Sequence, residues 1–197
     1  MSPLQIAIIA IVVIALAVVI WLFLKTKRTK QLHARFGPEY ERTVRSEGTA
    51  RAAEKVLQER QQRVARLEIT PLNEQQRNRF AKAWDNEQAH FVDEPRAAVE
   101  SADQLVGDVM KARGYPVSDF EQRVADVSVD HPVVVENYRV AHQIAIKDRQ
   151  EPVTTEELRQ AMIHYRALFA DLLHDGGMMP VREVRNDTRN LAREAGR

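Results

Sequence analysis

"VDEPRAAVESADQLVGDVMKARG", Val92 to Gly114, reads as one amphipathic helix with both ends marked. Val99, Ala102, Leu105, Val106, Val109 and Met110 recur at three- and four-residue spacing, the period of a helix buried along one stripe. Pro95 fits a first turn, where its missing N–H leaves no helical hydrogen bond unmade. Gly114 follows the last periodic residue, where a left-handed C-cap favours glycine. Such a stripe has to be covered, and the neighbouring segments carry the same period.

Upstream, "ITPLNEQQ" (Ile69–Gln76) breaks at Pro71, and Asn73 with Gln76 has capping-box spacing. The helix that follows, about 74–91, puts Phe80, Ala83, Trp84 and Phe91 on one face, with Glu87 as a misfit there. Downstream, "YPVSDFEQRVADVSVDHP" (Tyr115–Pro132) predicts a short helix capped by Ser118, with Glu121 three residues on and Phe120, Val124 and Val127 as apolar positions. In "SVDHPVVVENYRVAH" (Ser128–His142), Asp130 is the expected N-cap and Pro132 falls in the first turn. Val135, Tyr138, His142, Ala145 and Ile146 share one face with His131, and Val133, Val140 and Ile144 form a second arc. Glu136, Arg139, Gln143 and Lys147 form a narrow polar strip. A helix this apolar is expected at the centre of its bundle. "QEPVTTEELRQAMIHYRALFADLLHDGG" (Gln150–Gly177) starts at a Thr154 or Thr155 cap and ends at Gly176-Gly177. Leu158, Met162, Tyr165, Phe169, Leu172 and Leu173 are its stripe, with Arg166 at the edge and His164 at the margin.

No strand-like alternation exceeds a few residues, so the expected class is all-α: a compact bundle of four or five helices over residues 71–175. Residues 176–197 have few large apolar side chains and many charges, the composition of a flexible tail.

The N-terminal part is of another kind. "LQIAIIAIVVIALAVVIWLFL" (Leu4–Leu24) carries no charge, and at ~1.5 Å per residue it spans ~31 Å, the thickness of a bilayer core. Lys25, Lys27, Arg28 and Lys30 follow at once. A cleavable signal peptide has a basic start, a shorter apolar run and a small-residue exit, none of which is present. Residues 1–30 are therefore expected to be a transmembrane anchor with a basic flank. The positive-inside rule puts the N-terminus outside and the remainder in the cytoplasm. The basic flank also suits anionic lipid headgroups.

Residues 31–70 read as a helical stalk with breaks at Gly37-Pro38 and Gly48-Thr49, Thr49 being a candidate N-cap. Its later helix carries a thin stripe of Ala52, Val56, Val64 and Leu67. The net charge of +1 conceals a basic stretch over 25–67 and an acidic remainder. The basic residues lack interleaved aromatics, so nucleic acid is not an expected partner. The chain has no cysteine, which excludes disulfides, thiolate nucleophiles and thiolate metal sites.

The strings "ARFGPEYERTV", "RGYPVSDFEQRVADVSVDHPVVVENYRVAHQIA" and "LRQAMIHYRALFADLL" carry a resemblance. The stretch from His33 to Leu173 resembles a group of uncharacterised bacterial proteins with one N-terminal hydrophobic helix and a basic stretch. That resemblance implies a bacterial single-pass helical membrane protein. It implies no activity and supplies no catalytic residues.

For function, two readings stand side by side. His131 and His142 on one face, with Glu87 as a third donor, would make a metal-dependent enzyme possible in a bundle core. The spacing is neither Glu-x-x-His nor His-x-x-x-His, and no glycine-rich phosphate loop or Gly-x-Ser-x-Gly elbow occurs. The leading expectation is accordingly a non-enzymatic interaction or scaffolding module at the inner membrane, without cofactor or catalytic residues, that binds an unidentified protein. In that reading Tyr138 and His142 pair at i,i+4 as core residues, and Glu87 needs a partner such as an arginine, Tyr138 or His142.

Overall fold

The computed structural model describes residues 29–116 and 118–174, with Ala15, Leu16, Val19, Ile20, Phe23, Thr26 and Lys27 before them. The described residues are all-helical. Residues 29–36 are helical, followed by α1 (Pro38–Glu47), α2 (Ala50–Val64), α3 (Glu74–Asp93), α4 (Pro95–Arg113), α5 (Phe120–Asp130), α6 (Val135–Gln150) and α7 (Thr155–Leu173). Among the described residues no helix is long and apolar enough to cross a membrane. The expected span at 4–24 and the expected tail at 176–197 lie outside the described residues, apart from the few positions just given.

The chain divides into two compact units, residues 1–59 and 60–197. In the first, Gly37 and Gly48 punctuate the chain with φ of 47° and 73°, as the two breaks predict. Thr49 caps α2 by accepting from the Ala52 N–H at 3.2 Å. Leu32, Phe36, Tyr40, Ala53 and Leu57 are buried. Tyr40 Oη and Thr29 Oγ1 both donate to the Glu54 carboxylate. The buried stripe of α2 is therefore Ala53 and Leu57, continuing to Val64, with Ala52 and Val56 only half-buried beside it. Val64 is buried as expected, while at the start of the helix the buried positions are Ala53 and Leu57, one residue after the expected Ala52 and Val56.

The second unit begins at Arg60, within α2. Arg63 Nε donates to Asp126 Oδ1 of α5 at 2.7 Å, and Gln122 Nε2 donates to the same oxygen at 2.9 Å. The buried Asp126 carboxylate is thus held by a cation and an amide. Thr70 N–H donates to Arg113 O at the end of α4. Asn73 and Gln76 form the predicted capping box at the start of α3. Glu94 alone separates α3 from α4, with Pro95 in the first turn of α4 as expected.

In the core, α4 packs against α3 on one side and α7 on the other, α7 packs closely on α6, and α5 sits on α6. The predicted stripe of α4 is buried, with Leu105 only partly covered. The centre is not α6: α4 packs on α3, α6 and α7, and the longest buried stripe is that of α7. Leu158, Ala161, Met162, Tyr165, Leu168, Phe169, Leu172 and Leu173 are all buried there. On α6, Val133 just before the helix is 75% exposed and Ile146 lies largely outside, while Arg139 of the expected polar strip is buried. Apolar composition alone overstated how much of that helix is covered.

Cap residues also shift. Thr154 and Glu157 form the capping box of α7. At α5 the cap is Asp119, accepting from Gln122 N–H, and not Ser118 with Glu121. Asp130 does not cap α6. It is the last residue of α5 and accepts a hydrogen bond from Tyr115 Oη. His131 then ends α5, a turn follows, and α6 starts at Val135. The C-terminal carbonyls of α7 have a partner as well: Arg113 Nη1 donates to Leu172 O at 2.7 Å.

Candidate functional site

The three residues singled out from sequence take three different partners. His131 is buried at the α5–α6 turn, and its Nδ1 lies 2.5 Å from Asp171 Oδ2 of α7. That contact ties the turn to α7 and leaves the other ring nitrogen, Nε2, buried without a protein hydrogen-bond partner. His142 stacks on Phe120 of α5, with ring centroids 3.6 Å apart and planes 10° from parallel. Its Nδ1 stands 3.8 Å from Asp103 Oδ1 of α4, beyond hydrogen-bond length. Glu87 is half-buried and lies 3.6 Å from His90 on its own helix. No three His, Asp or Glu side chains among the described residues group so as to hold a metal ion, so His131, His142 and Glu87 do not form one ligand set.

The expected pairing of Tyr138 with His142 is corrected to a looser ring contact at 6.3 Å. The carboxylate neighbour of His142 is Asp103. It could have been found: Asp103 lies four residues after Val99 and three before Val106, inside the apolar stripe. His90, three residues after Glu87, was likewise within reach of helical spacing. Asp171 carries no such mark, since it is not set among the stripe positions of α7.

Around Asp103 a polar cluster gathers from four helices. Tyr138 and Tyr165 are fully buried, with centroids 6.3 Å apart, and Phe120 lies 4.9 Å from Tyr138. The Arg123 guanidinium stands 6.0 Å over the Tyr138 ring. Gly107 of α4 makes room for that arginine: a Cβ there would come within 3.3 Å of Arg123 Nη1. Asp103 Oδ1, His142 Nδ1, Arg123 Nε and both tyrosine hydroxyls are buried without a protein hydrogen bond. Burial pushes the Asp103 carboxyl up, but His142, with Tyr165 and Arg123, outweighs burial and holds it below the ordinary carboxylate value. Burial and the Asp103 charge push both tyrosine hydroxyls far above their usual value. They stay protonated at any physiological pH and give up that proton reluctantly.

This arrangement gives a pH dependence of definite sign. The Asp103 carboxyl is more acidic in the fold than in the open chain. The fold therefore gains from the ionised form above the ordinary carboxylate range and loses that gain as pH falls through the lower folded value. Urea midpoints collected from about pH 6 down to pH 2 should fall less steeply for Asp103→Asn than for the parent chain. Parallel acid limbs would show that Asp103 contributes nothing there.

Two grooves flank α3. One, of about 640 Å³, lies between α3 and α4, floored by Phe80, Ala83 and Leu105, with Arg79, Asp108 and Lys111 on its walls. Both signs of charge face it, so it selects no ligand charge. The other lies between α3 and α7, floored by Trp84, Phe91, Met162 and Ile163, with Arg159 and Arg166 at the rim. Trp84 is fixed in place by stacking on Phe169 at 4.7 Å and by donating from Nε1 to Gln88 Oε1 at 2.7 Å.

In comparison with known proteins, no family model, curated protein or solved structure matches this chain.

Proposed function

We propose that this protein is a membrane-tethered helical interaction module of the bacterial inner membrane. In this reading residues 4–24 cross the bilayer with the N-terminus outside. The basic flank of Lys25, Lys27, Arg28 and Lys30 meets anionic headgroups on the inner face. The unit from Arg60 onward serves as a cytoplasmic platform for another protein. The observation that carries the proposal is the charge-free run from Leu4 to Leu24 followed at once by basic residues. Leu16, Val19, Ile20 and Phe23 within it are 57, 62, 56 and 66% exposed, and side chains of that kind in water are a standing cost that lipid removes. The polar cluster at Asp103 supports an interaction role rather than an enzymatic one, because its acidic and basic atoms are buried among helices instead of lining a groove.

Topology is the test. Protease added outside intact spheroplasts is expected to spare everything after residue 30, and to digest it once the membrane is opened. Digestion in intact spheroplasts, with a cytoplasmic control surviving, overturns the orientation. Recovery of the chain in the soluble fraction overturns the anchor.

A further inference from the structure

We infer that the groove between α3 and α7 is the docking site of a protein partner, and that the partner presents an acidic amphipathic helix. The inference deepens the interaction reading and rests on it. Both α3 and α7 pack on α4, yet they are not a closely packed pair themselves. The side chains between them leave a shallow groove of about 130 Å³, a seat for apolar side chains of a helix laid across it. Its floor is apolar and part of it is open: Ile163 is 46% exposed, a large aliphatic side chain on the outward ridge of α7. Trp84 and Met162 lie buried beneath it, 5 and 7% exposed, so the open apolar surface is Ile163 with the half-buried Phe91.

The charge of the partner follows from the rim. Arg159 and Arg166 stand seven residues apart on α7 with Ile163 between them, so all three share one ridge. Arg159 is held by Glu156 through two short hydrogen bonds at 2.7 and 2.6 Å. Arg166 has no carboxylate partner among the described residues. A helix lying along the groove would set its apolar side chains on Phe91 and Ile163 and a carboxylate against Arg166, where a guanidinium favours a two-pronged pair. The chain's own C-terminal segment does not have this chemistry. Arg182, Arg185, Arg189, Arg193 and Arg197 outnumber Glu183, Asp187 and Glu194 there.

The probe is a fluorescent synthetic helical peptide with leucine at i, i+3, i+4 and i+7 and glutamates flanking that stripe, titrated by anisotropy against the full chain in lipid nanodiscs. A second peptide carries lysine in place of each glutamate. The acidic peptide is expected to bind saturably, and the lysine peptide at least about tenfold more weakly, a difference of about 1.4 kcal/mol. Ile163→Ser and Arg166→Glu should each weaken the acidic peptide by about tenfold or more. Both positions are exposed, and unchanged thermal melts of the variants would show that the fold is kept. Equal binding of the two peptides, binding that survives both substitutions, or no binding of the acidic peptide overturns the proposal. So does a concentration-dependent dimer that Ile163→Ser abolishes, which would put a second copy in the groove. Acidic peptide binding that appears only when the chain is cut after His174 would make the tail the occupant and also overturns it. The peptide result is independent of the spheroplast result: loss of peptide binding with the topology intact removes the groove alone, and the reverse removes the tether alone.

Discussion

Replacing Tyr138 with alanine is expected to lower the unfolding free energy by about 3–5 kcal/mol, the range for truncating a fully buried aromatic. Tyr138 has no exposed surface and sits where Phe120, Tyr165 and His142 converge. Alanine would leave a void bounded by rings from three helices, which cannot collapse without moving helices as units. Tyr138→Phe should cost less than about 1 kcal/mol, because the hydroxyl has no protein hydrogen-bond partner to lose. The measurement is urea unfolding of residues 25–174, parent against both variants. A Phe variant as weak as the Ala variant would mean that the hydroxyl holds the site together, and the packing account would fail.

Gly114→Ala should cost about 2–4 kcal/mol, from strain at positive φ together with a backbone clash. Gly114 ends α4 at φ 101°. A Cβ there would lie 2.3 Å from Glu68 O and 3.2 Å from Glu68 C. The atom in the way is main chain, and it is held in place by the Thr70 N–H donating to Arg113 O at 2.8 Å. It therefore cannot turn aside as a flexible side chain would. Gly48→Ala is the control. Its φ is 73° but nothing lies within 4 Å of the added carbon, so about 1–2 kcal/mol of backbone strain is all that is expected. Thermal or urea unfolding of the two variants separates strain from clash. Equal losses would show that segment 68–70 is not pressed against the end of α4.

The two predictions differ in how much of them the residues foretold. Tyr138 was placed in the core by helical spacing alone, and Gly114 was placed at a helix end by its position after a periodic run. The reason glycine is needed there came from elsewhere. Glu68 belongs to a segment many residues upstream, and its approach to Gly114 leaves no trace in local pattern.

The same division runs through the rest of the molecule. Helix class, the stripes of α4 and α7, the capping boxes at Asn73 and Thr154, and the glycine breaks are consequences of periodicity and of short-range hydrogen bonding. Those interactions act over three or four residues, so a linear reading contains them. Of the caps that differ, Ser118 lies beside a second suitable residue, while Asp130 falls inside α5 and α6 starts after Val134 with no side-chain cap. Asp119 took the first cap, and Tyr115 drew Asp130 into the end of α5. Whether α6 or α7 lies at the centre depends on which faces meet, and apolar content does not encode that. The carboxylate neighbours of His131 and His142, Asp171 and Asp103, come from other helices. So do the two walls of the groove that holds Trp84 and Ile163. Residues far apart in the chain became neighbours there through the burial of stripes, and only the folded arrangement of those stripes decides which of them meet.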